Sequence, residues 1–348
     1  VGKVDFLIVG QGIAGTLLAM ELMNSGYKVV VFNEEKPNTS SLKAGGLYNP
    51  ITGRKMVKTW MADELFLNLE SYYQKLEHQL DARFIFPMPI YRLFFNYEEQ
   101  NDWAAKAADP AYSHFIKELH ASSLGIEGVQ DEYGGLLLNH SGYVNLPNML
   151  AAARKYLDDR GIYRSEVFQY DQMILQEDNI EYQGLEVGRV IFCDGPEAIK
   201  NPYWEHLPFN PVKGETLVIS TELPSDMIIN RGVFVLPRDG HYVVGATYDH
   251  KQLDYEPTAE GIKNLQDRLH KIFKGKYELV SSSAGIRPAT FDRRPFIGFH
   301  SEHPQIGIFN GFGTKGVSLV PYFAGQLVNY LKGGGQIMDE VNVSRVTR

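Results

Sequence analysis

Three glycines near the N-terminus carry the first pattern that could do chemistry. Gly10-Gln11-Gly12-Ile13-Ala14-Gly15 leaves an apolar run, Val4 to Val9, and opens a helical stretch to Ser25. Gly26 then precedes a second apolar run ending at Phe32. Gly10 permits a tight turn, Gly12 lets backbone approach a pyrophosphate, and Gly15 lets helix and strand pack closely. At Ile13 and Ala14 the helix N-terminus offers N–H groups and a positive dipole end to phosphate. A glycine motif that leaves a strand and enters a helix reads as a dinucleotide site. One position departs from the pattern. The second strand should end in Asp or Glu, which accepts from the ribose hydroxyls. Here it ends in Asn33, an uncharged acceptor, and a slip of one residue would bring Glu34 there instead. Lys36 could face a 2′-phosphate, but no arginine lies nearby.

A second glycine loop stands at the far end of the chain. Gly311-Phe312-Gly313-Thr314-Lys315-Gly316 follows a short apolar run and leads through Val317 into a helix reaching Leu331. Its N–H groups can face an anionic or electron-rich ligand group. Between the two ends lie Ala44-Gly45-Gly46, where backbone can come close to a flat group, and Val190 to Gly195, a buried strand ending at a glycine turn. The single cysteine, Cys193, allows no intrachain disulfide and no cysteine metal site, and reads as a small buried residue. His300 and His303 have a metal-like spacing, but Pro304 follows in a polar loop, and no metal site is assigned.

The elements that must position these loops follow from periodicity. The 348 residues suffice for about two domains with a substantial core. Ile13, Leu17 and Met20 predict one helix face against the sheet. Met61 to Leu80 and Asp102 to Ala121 read as helices, Ala259 to Phe273 as another, and Tyr277 to Ser282 as a strand. Asp239-Gly240 between two apolar runs predicts a hairpin. Pro321 is placed in the first turn of the last helix, where a missing N–H does little harm. The net charge of -8 argues against nucleic acid as a main partner. No run approaches the ~18 apolar residues of a membrane span, and the lone cysteine fits a reduced, cytoplasmic compartment.

Together these stretches resemble the D-amino-acid oxidase family of flavoproteins, which includes glycine oxidase and sarcosine oxidase. Gly10 to Gly15, Ala44 to Gly46, Val190 to Gly195, Pro211 to Glu215, Leu236 to Thr247, Ala284 to Gly298 and Gly311 to Gly316 occur in the family's order. The resemblance implies an α/β fold: a Rossmann-like FAD-binding domain with an inserted, mostly antiparallel α+β substrate domain. By analogy the first combines residues 1–80, 141–207 and 284–348, and the second 81–140 and 208–283. The implied cofactor is FAD, held noncovalently by Gly10, Gly12, Ile13, Ala14, Gly15, Asn33 or Glu34, Ala44, Gly45, Gly46, Gly195, Gly311, Gly313, Thr314, Lys315, Gly316 and Val317.

The resemblance also assigns chemistry. Arg287, in Gly285-Ile286-Arg287-Pro288, would pair with a substrate carboxylate, for which a guanidinium's two parallel donors are suited. Lys315 would lie near the flavin and stabilise its anionic reduced form. Phe234 stands where glycine oxidase has a substrate-holding tyrosine, so that hydroxyl is lost. Tyr48, Tyr91, Tyr242 or Tyr248 could replace it. The implied activity is oxidation of the C–N bond of a small amine or amino acid, with oxygen or another acceptor reoxidising the flavin. Three alternatives remain: a flavoenzyme acting on a carboxymethylamino group of tRNA, which the Gly311–Gly316 loop also resembles, a noncatalytic flavin-binding subunit, and an NAD(P)-dependent dehydrogenase.

Overall fold

The computed structural model describes residues 2–53, 57–224 and 226–346. Residues 1 and 347–348, the outer ends of the first predicted domain, lie outside it. A parallel sheet forms where the apolar runs predict it. Its central strands run in the order Tyr163–Arg164, Val29–Phe32, Gly2–Val9, Leu185–Phe192 and Ile306–Asn310, every neighbouring pair parallel. Alternate residues of each strand enter different cores. Phe6, Ile8 and Ile191 pack on one face, and Leu7, Val9, Val190 and Phe192 on the other. Burial on both faces accounts for the unbroken apolar runs.

The Ile13–Asn24 helix is more enclosed than one apolar stripe predicts. Ala14, Gly15, Thr16, Leu17, Leu18, Ala19, Met20 and Leu22 are all buried. It lies between the sheet and the Gly316–Leu331 helix, so it is covered on more than one side. That last helix also corrects the placement of Pro321. Proline falls at its sixth residue, not in its first turn. A proline there cannot donate to the carbonyl four residues earlier, and the buried Tyr73 hydroxyl donates to Val317 O instead, at 2.8 Å.

A second eight-stranded sheet faces the first. Its order is Glu278–Arg287, Val212–Ser220, His241–Gly245, Val233–Arg238, Ile228–Arg231, Ile90–Leu93, Gly135–Leu138 and Ile116–His120. All its pairings are antiparallel except the one between Ile228–Arg231 and Ile90–Leu93. Asp239 and Gly240 take positive φ at the predicted hairpin, with Arg238 opposite His241. The outer face buries Leu217, Val235, Val244 and Tyr91 against Leu265 and Leu269 of the Ala259–Leu269 helix.

Two predicted helices are broken. Met61 to Leu80 forms two, Ala62–Phe66 and Leu69–Leu80. Asp102 to Ala121 gives the end of the Tyr97–Ala107 helix, a short turn opening at Pro110, and then the edge strand Ile116–His120. Pro110 disfavours helix at the residue before it. Among the described residues, no helix is long and apolar enough to cross a membrane.

Candidate active site

The parallel strands end together, and loops leave their carboxyl ends at Gly10, Asn33, Asp194-Gly195 and Gly311. Open α/β sheets bind ligands outside that edge. A cavity of about 1590 Å³ lies there, between this edge and the inner face of the second sheet.

The first glycine loop is shaped by close approach. Gly10 has a φ of 100°, and a Cβ on Gly15 would meet Gly10 O at 1.9 Å. Gly12 stands at the helix cap and has no side chain to fill it, so the helix start borders the cavity. Two contacts hold the loop: Gln11 Nε2 donates to Leu150 O at 2.9 Å, and Ile13 N donates to Ser41 Oγ at 3.1 Å. Asn33 Oδ1 accepts from Gln11 N at 2.8 Å, while Asn33 Nδ2 donates to Tyr163 at 3.1 Å. Asn33 is therefore engaged in fixing the loop. Glu34 also lines the cavity and pairs with Lys36 at 2.8 Å.

Asp194 ties the turn at Gly195 to the second glycine loop. Its carboxylate accepts from Asn310 Nδ2 at 2.9 Å and Asn201 Nδ2 at 3.0 Å, and Gly311 N donates to Asn310 Oδ1 at 2.8 Å. Burial raises the Asp194 pKa to about 6, against the pull of those two donors. Sequence reading passed over Asp194. Only its position after a buried strand, beside Gly195, could have marked it.

Of the predicted residues, Gly10, Gly12, Ile13, Ala14, Asn33, Glu34, Ala44, Gly45, Gly46, Gly195, Gly313, Thr314, Gly316 and Val317 line the cavity, as do Arg287 and Phe234. Gly15, Gly311, Lys315 and Tyr48 are not among its lining residues. Gly15 and Gly311 act on the backbone beneath. Lys315 Nζ turns to Thr59 Oγ1 at 3.4 Å, close to Arg293 and Arg294. Tyr48 is 2 % exposed and donates to Glu70 at 3.2 Å. Tyr91 and Tyr242 spend their hydroxyls on Asp131 and on Leu223 O. Only Tyr248, of the four tyrosines considered, lines the cavity.

The inner face of the second sheet forms the other wall. Thr216, Gly245, Phe234, Asn230 and Arg92 stand directly opposite one another across successive strands, so they share this face. Arg287 ends its strand rather than sitting in a loop. Its guanidinium lies flat over Gly214, where a Cβ would come within 1.9 Å of Nη2. Nη1 donates to Thr247 O at 3.1 Å, and the Tyr248 ring centroid lies 4.7 Å from the guanidinium carbon. No carboxylate of the described residues pairs with Arg287. Burial pushes its pKa below the usual guanidinium range, and Tyr248 pulls it back. The site thus offers a glycine-framed anion cradle on one wall and an unpaired planar cation on the other.

Comparison with known proteins defines the class. The family model for FAD dependent oxidoreductases matches residues 5–331, and the chain belongs to that family. It is an enzyme with FAD as its cofactor. Glycine oxidase of Pseudomonas aeruginosa is 24% identical, over 96% of each chain. The bifunctional tRNA 5-methylaminomethyl-2-thiouridine biosynthesis protein of Idiomarina loihiensis is 23% identical over 94% of this chain and 56% of its own length. The iminodiacetate oxidase structure from Chelativorans sp. superposes with a TM-score of 0.80 at 18% identity, covering 96% of both chains. The cradle fits the cofactor: the helix start bordering the cavity and the space kept by Gly10, Gly12 and Gly15 suit a pyrophosphate.

Proposed function

We propose that this chain oxidises the C–N bond of a small amine or amino acid that carries a carboxylate. The observation that carries the reading is Arg287: a cation on the cavity wall with no carboxylate partner among the described residues. A guanidinium in that setting favours a bidentate carboxylate ligand. We take the parallel sheet and its helices as the FAD-binding part and the antiparallel sheet as the substrate-binding part, in the ranges read from the sequence. FAD, held noncovalently, supplies the acceptor for the hydride leaving the carbon beside nitrogen.

The protein's task in such a reaction is positioning. Arg287 fixes the carboxylate, and Gly214 keeps the guanidinium flat against the sheet. Tyr248 walls one side. Phe234 presents a ring and no hydroxyl, which leaves Thr216 Oγ1 as a hydroxyl on the same face, 3.0 Å from Ser283 Oγ. The pyrophosphate belongs at Gly10 to Gly15. Asn33 is already engaged, so Glu34 is the better acceptor for the ribose. Ala44 to Gly46 and Gly313 to Val317 take the flavin end, with the Lys315 ammonium behind that loop. Relatives of this fold include proteins named for glycine and iminodiacetate oxidation, which agrees with a carboxylate-bearing amine.

A second reading, the tRNA-modifying one, has a specific observation in its favour: the 23% identity to the Idiomarina protein covers 94% of this chain. The net charge of -8 weighs against it. One experiment separates the two. The purified, FAD-loaded protein is mixed anaerobically with amino acids, N-alkyl amino acids and tRNA, and bleaching of the flavin absorbance is recorded. Bleaching by a free amino acid supports the first reading. Bleaching by tRNA alone replaces it with the second.

A further inference from the structure

The charge lining the cavity is uneven. Its acidic residues, Glu34, Glu166, Asp194 and Glu197, all lie at the carboxyl edge of the parallel sheet or just beyond it, where Lys36 pairs with Glu34 and Glu197 and Lys200 with Glu197. The opposite end holds Arg92, Arg231, Arg268, Lys271 and Arg287, with no acidic lining residue among them. That bias runs against a chain whose net charge is -8. Arg287 accounts for one anionic group.

Arg92 is the most demanding of these cations. It is 6% exposed, and its Nε is buried without a hydrogen-bond partner among the described residues. Nη1 donates to Asn230 Oδ1 and Nη2 to Gly53 O, each at 2.6 Å, so both partners are neutral. No carboxylate of the described residues forms an ion pair with it; Glu99 attracts it only at longer range and Arg231 opposes it, and a buried cation so weakly compensated is costly. Arg92 stands on the cavity face, directly across from Asn230, which stands directly across from Phe234. At ~4.8 Å per strand the strand of Arg92 lies about 10 Å beyond that of Phe234. Arg231, adjacent in sequence to Asn230, also lines the cavity, stacked 4.1 Å over Phe95.

We propose that Arg92, with Asn230 and Arg231, forms a second anion subsite for a carboxylate or phosphate group on the far end of the substrate. The near carboxylate goes to Arg287, and the proposal rests on that assignment. Asn230 gives its carbonyl oxygen to Arg92, which leaves its amide nitrogen as a donor to the same anion. The substrate class becomes an amine with two anionic groups separated by a linker, rather than a minimal amino acid. Arg92 then acts on recognition and not on the transfer itself.

The test is a ligand ladder on the FAD-loaded protein. α,ω-Dicarboxylates of three to ten carbons, the monocarboxylates of equal length, and ω-phosphono carboxylates are titrated by calorimetry. The expected result is one length at which the two-headed ligand binds at least tenfold tighter than its monocarboxylate. In Arg92→Gln that preference should vanish, and in Arg92→Lys part of it should return. Which head group binds more tightly at that length identifies the anion as carboxylate or phosphate. Equal affinities at every length in the unaltered protein overturn the subsite, whether or not the variants fold. So does a preference that survives Arg92→Gln. If monocarboxylates bind and Arg287→Ala weakens them while no length preference exists, the second subsite falls and the Arg287 assignment stands. If no carboxylate binds at all, both fall.

Discussion

Replacing Arg287 separates a substrate-binding role from a structural one, because the structure gives the two roles opposite signs. Among the described residues the guanidinium makes one hydrogen bond, to Thr247 O at 3.1 Å, and no ion pair. A structural arginine would leave an orphaned partner behind when truncated. Here truncation leaves the carbonyl of Thr247, a half-buried residue, and one face of the exposed Tyr248 ring. Removing a half-buried cation with no counter-charge also relieves a desolvation cost. Arg287→Ala should therefore leave the melting temperature unchanged or slightly raised. Binding should move the other way. Losing one member of a hydrogen-bonded charge pair costs about 2–5 kcal/mol, which at about 1.4 kcal/mol per tenfold weakens carboxylate ligands by about 30- to 4000-fold. Arg287→Lys keeps the charge but loses the fork and should fall between. Gly214→Ala offers a test that leaves Arg287 in place, since the new Cβ would occupy the space of Nη2. It should reproduce part of the loss. The assays are thermal melting and calorimetric titration with a monocarboxylate. A lowered melting temperature with unchanged carboxylate affinity would refute the reasoning.

The remaining predictions concern the cofactor loops and the helix behind them. Asp194 has a raised pKa, about 6, so the folded protein favours its protonated form. The stabilisation from that proton is full below the ordinary aspartate range and is lost as pH rises through about 6. An anionic pyrophosphate nearby favours the neutral acid further, so FAD affinity, read by flavin fluorescence, should strengthen as pH falls from 8 to 5. Asp194→Asn should flatten that profile, and a flat profile in the unaltered protein would refute the idea. Lys315 is pushed down to about 8 by burial and then by Arg294 and Arg293. Its charge is a cost to the folded state below about pH 8, relieved as pH rises toward the ordinary lysine value. Lys315→Met should stabilise the FAD-free protein by about 1–3 kcal/mol at pH 7, a gain that fades by pH 10 in denaturant titrations. Tyr73→Phe strands the Val317 carbonyl beside Pro321 and should cost about 1–3 kcal/mol of stability. A cost under half of that would mean another donor reaches it.

The sequence was most readable where one residue type has one physical job. Gly10 and Gly15 are required by backbone approach, so their spacing alone located the turn and the helix after it. Apolar runs such as Phe6 to Val9 and Val29 to Phe32 located the central strands, because burial on both faces leaves no polar position in them. It was least readable where a contact joins distant segments. Nothing local says that Asn33 Oδ1 is taken by Gln11 N, or that Tyr73 covers the carbonyl that Pro321 leaves open. The second sheet shows the same limit for function. Arg287 was visible only through a resemblance, and Arg92 was not singled out at all, since its strand is short, aromatic and flanked by proline. What gives Arg92 meaning is a row of pairings from Thr216 through Gly245, Phe234 and Asn230, whose members lie up to 153 positions apart in the chain. A row of that kind is written in register, and register is set by the whole sheet. A substitution that shifts the Ile228–Arg231 strand by one residue would turn Asn230 out of the cavity and leave Arg92 facing it alone. The selectivity of the site is therefore bound to strand pairing as much as to the identity of its cations.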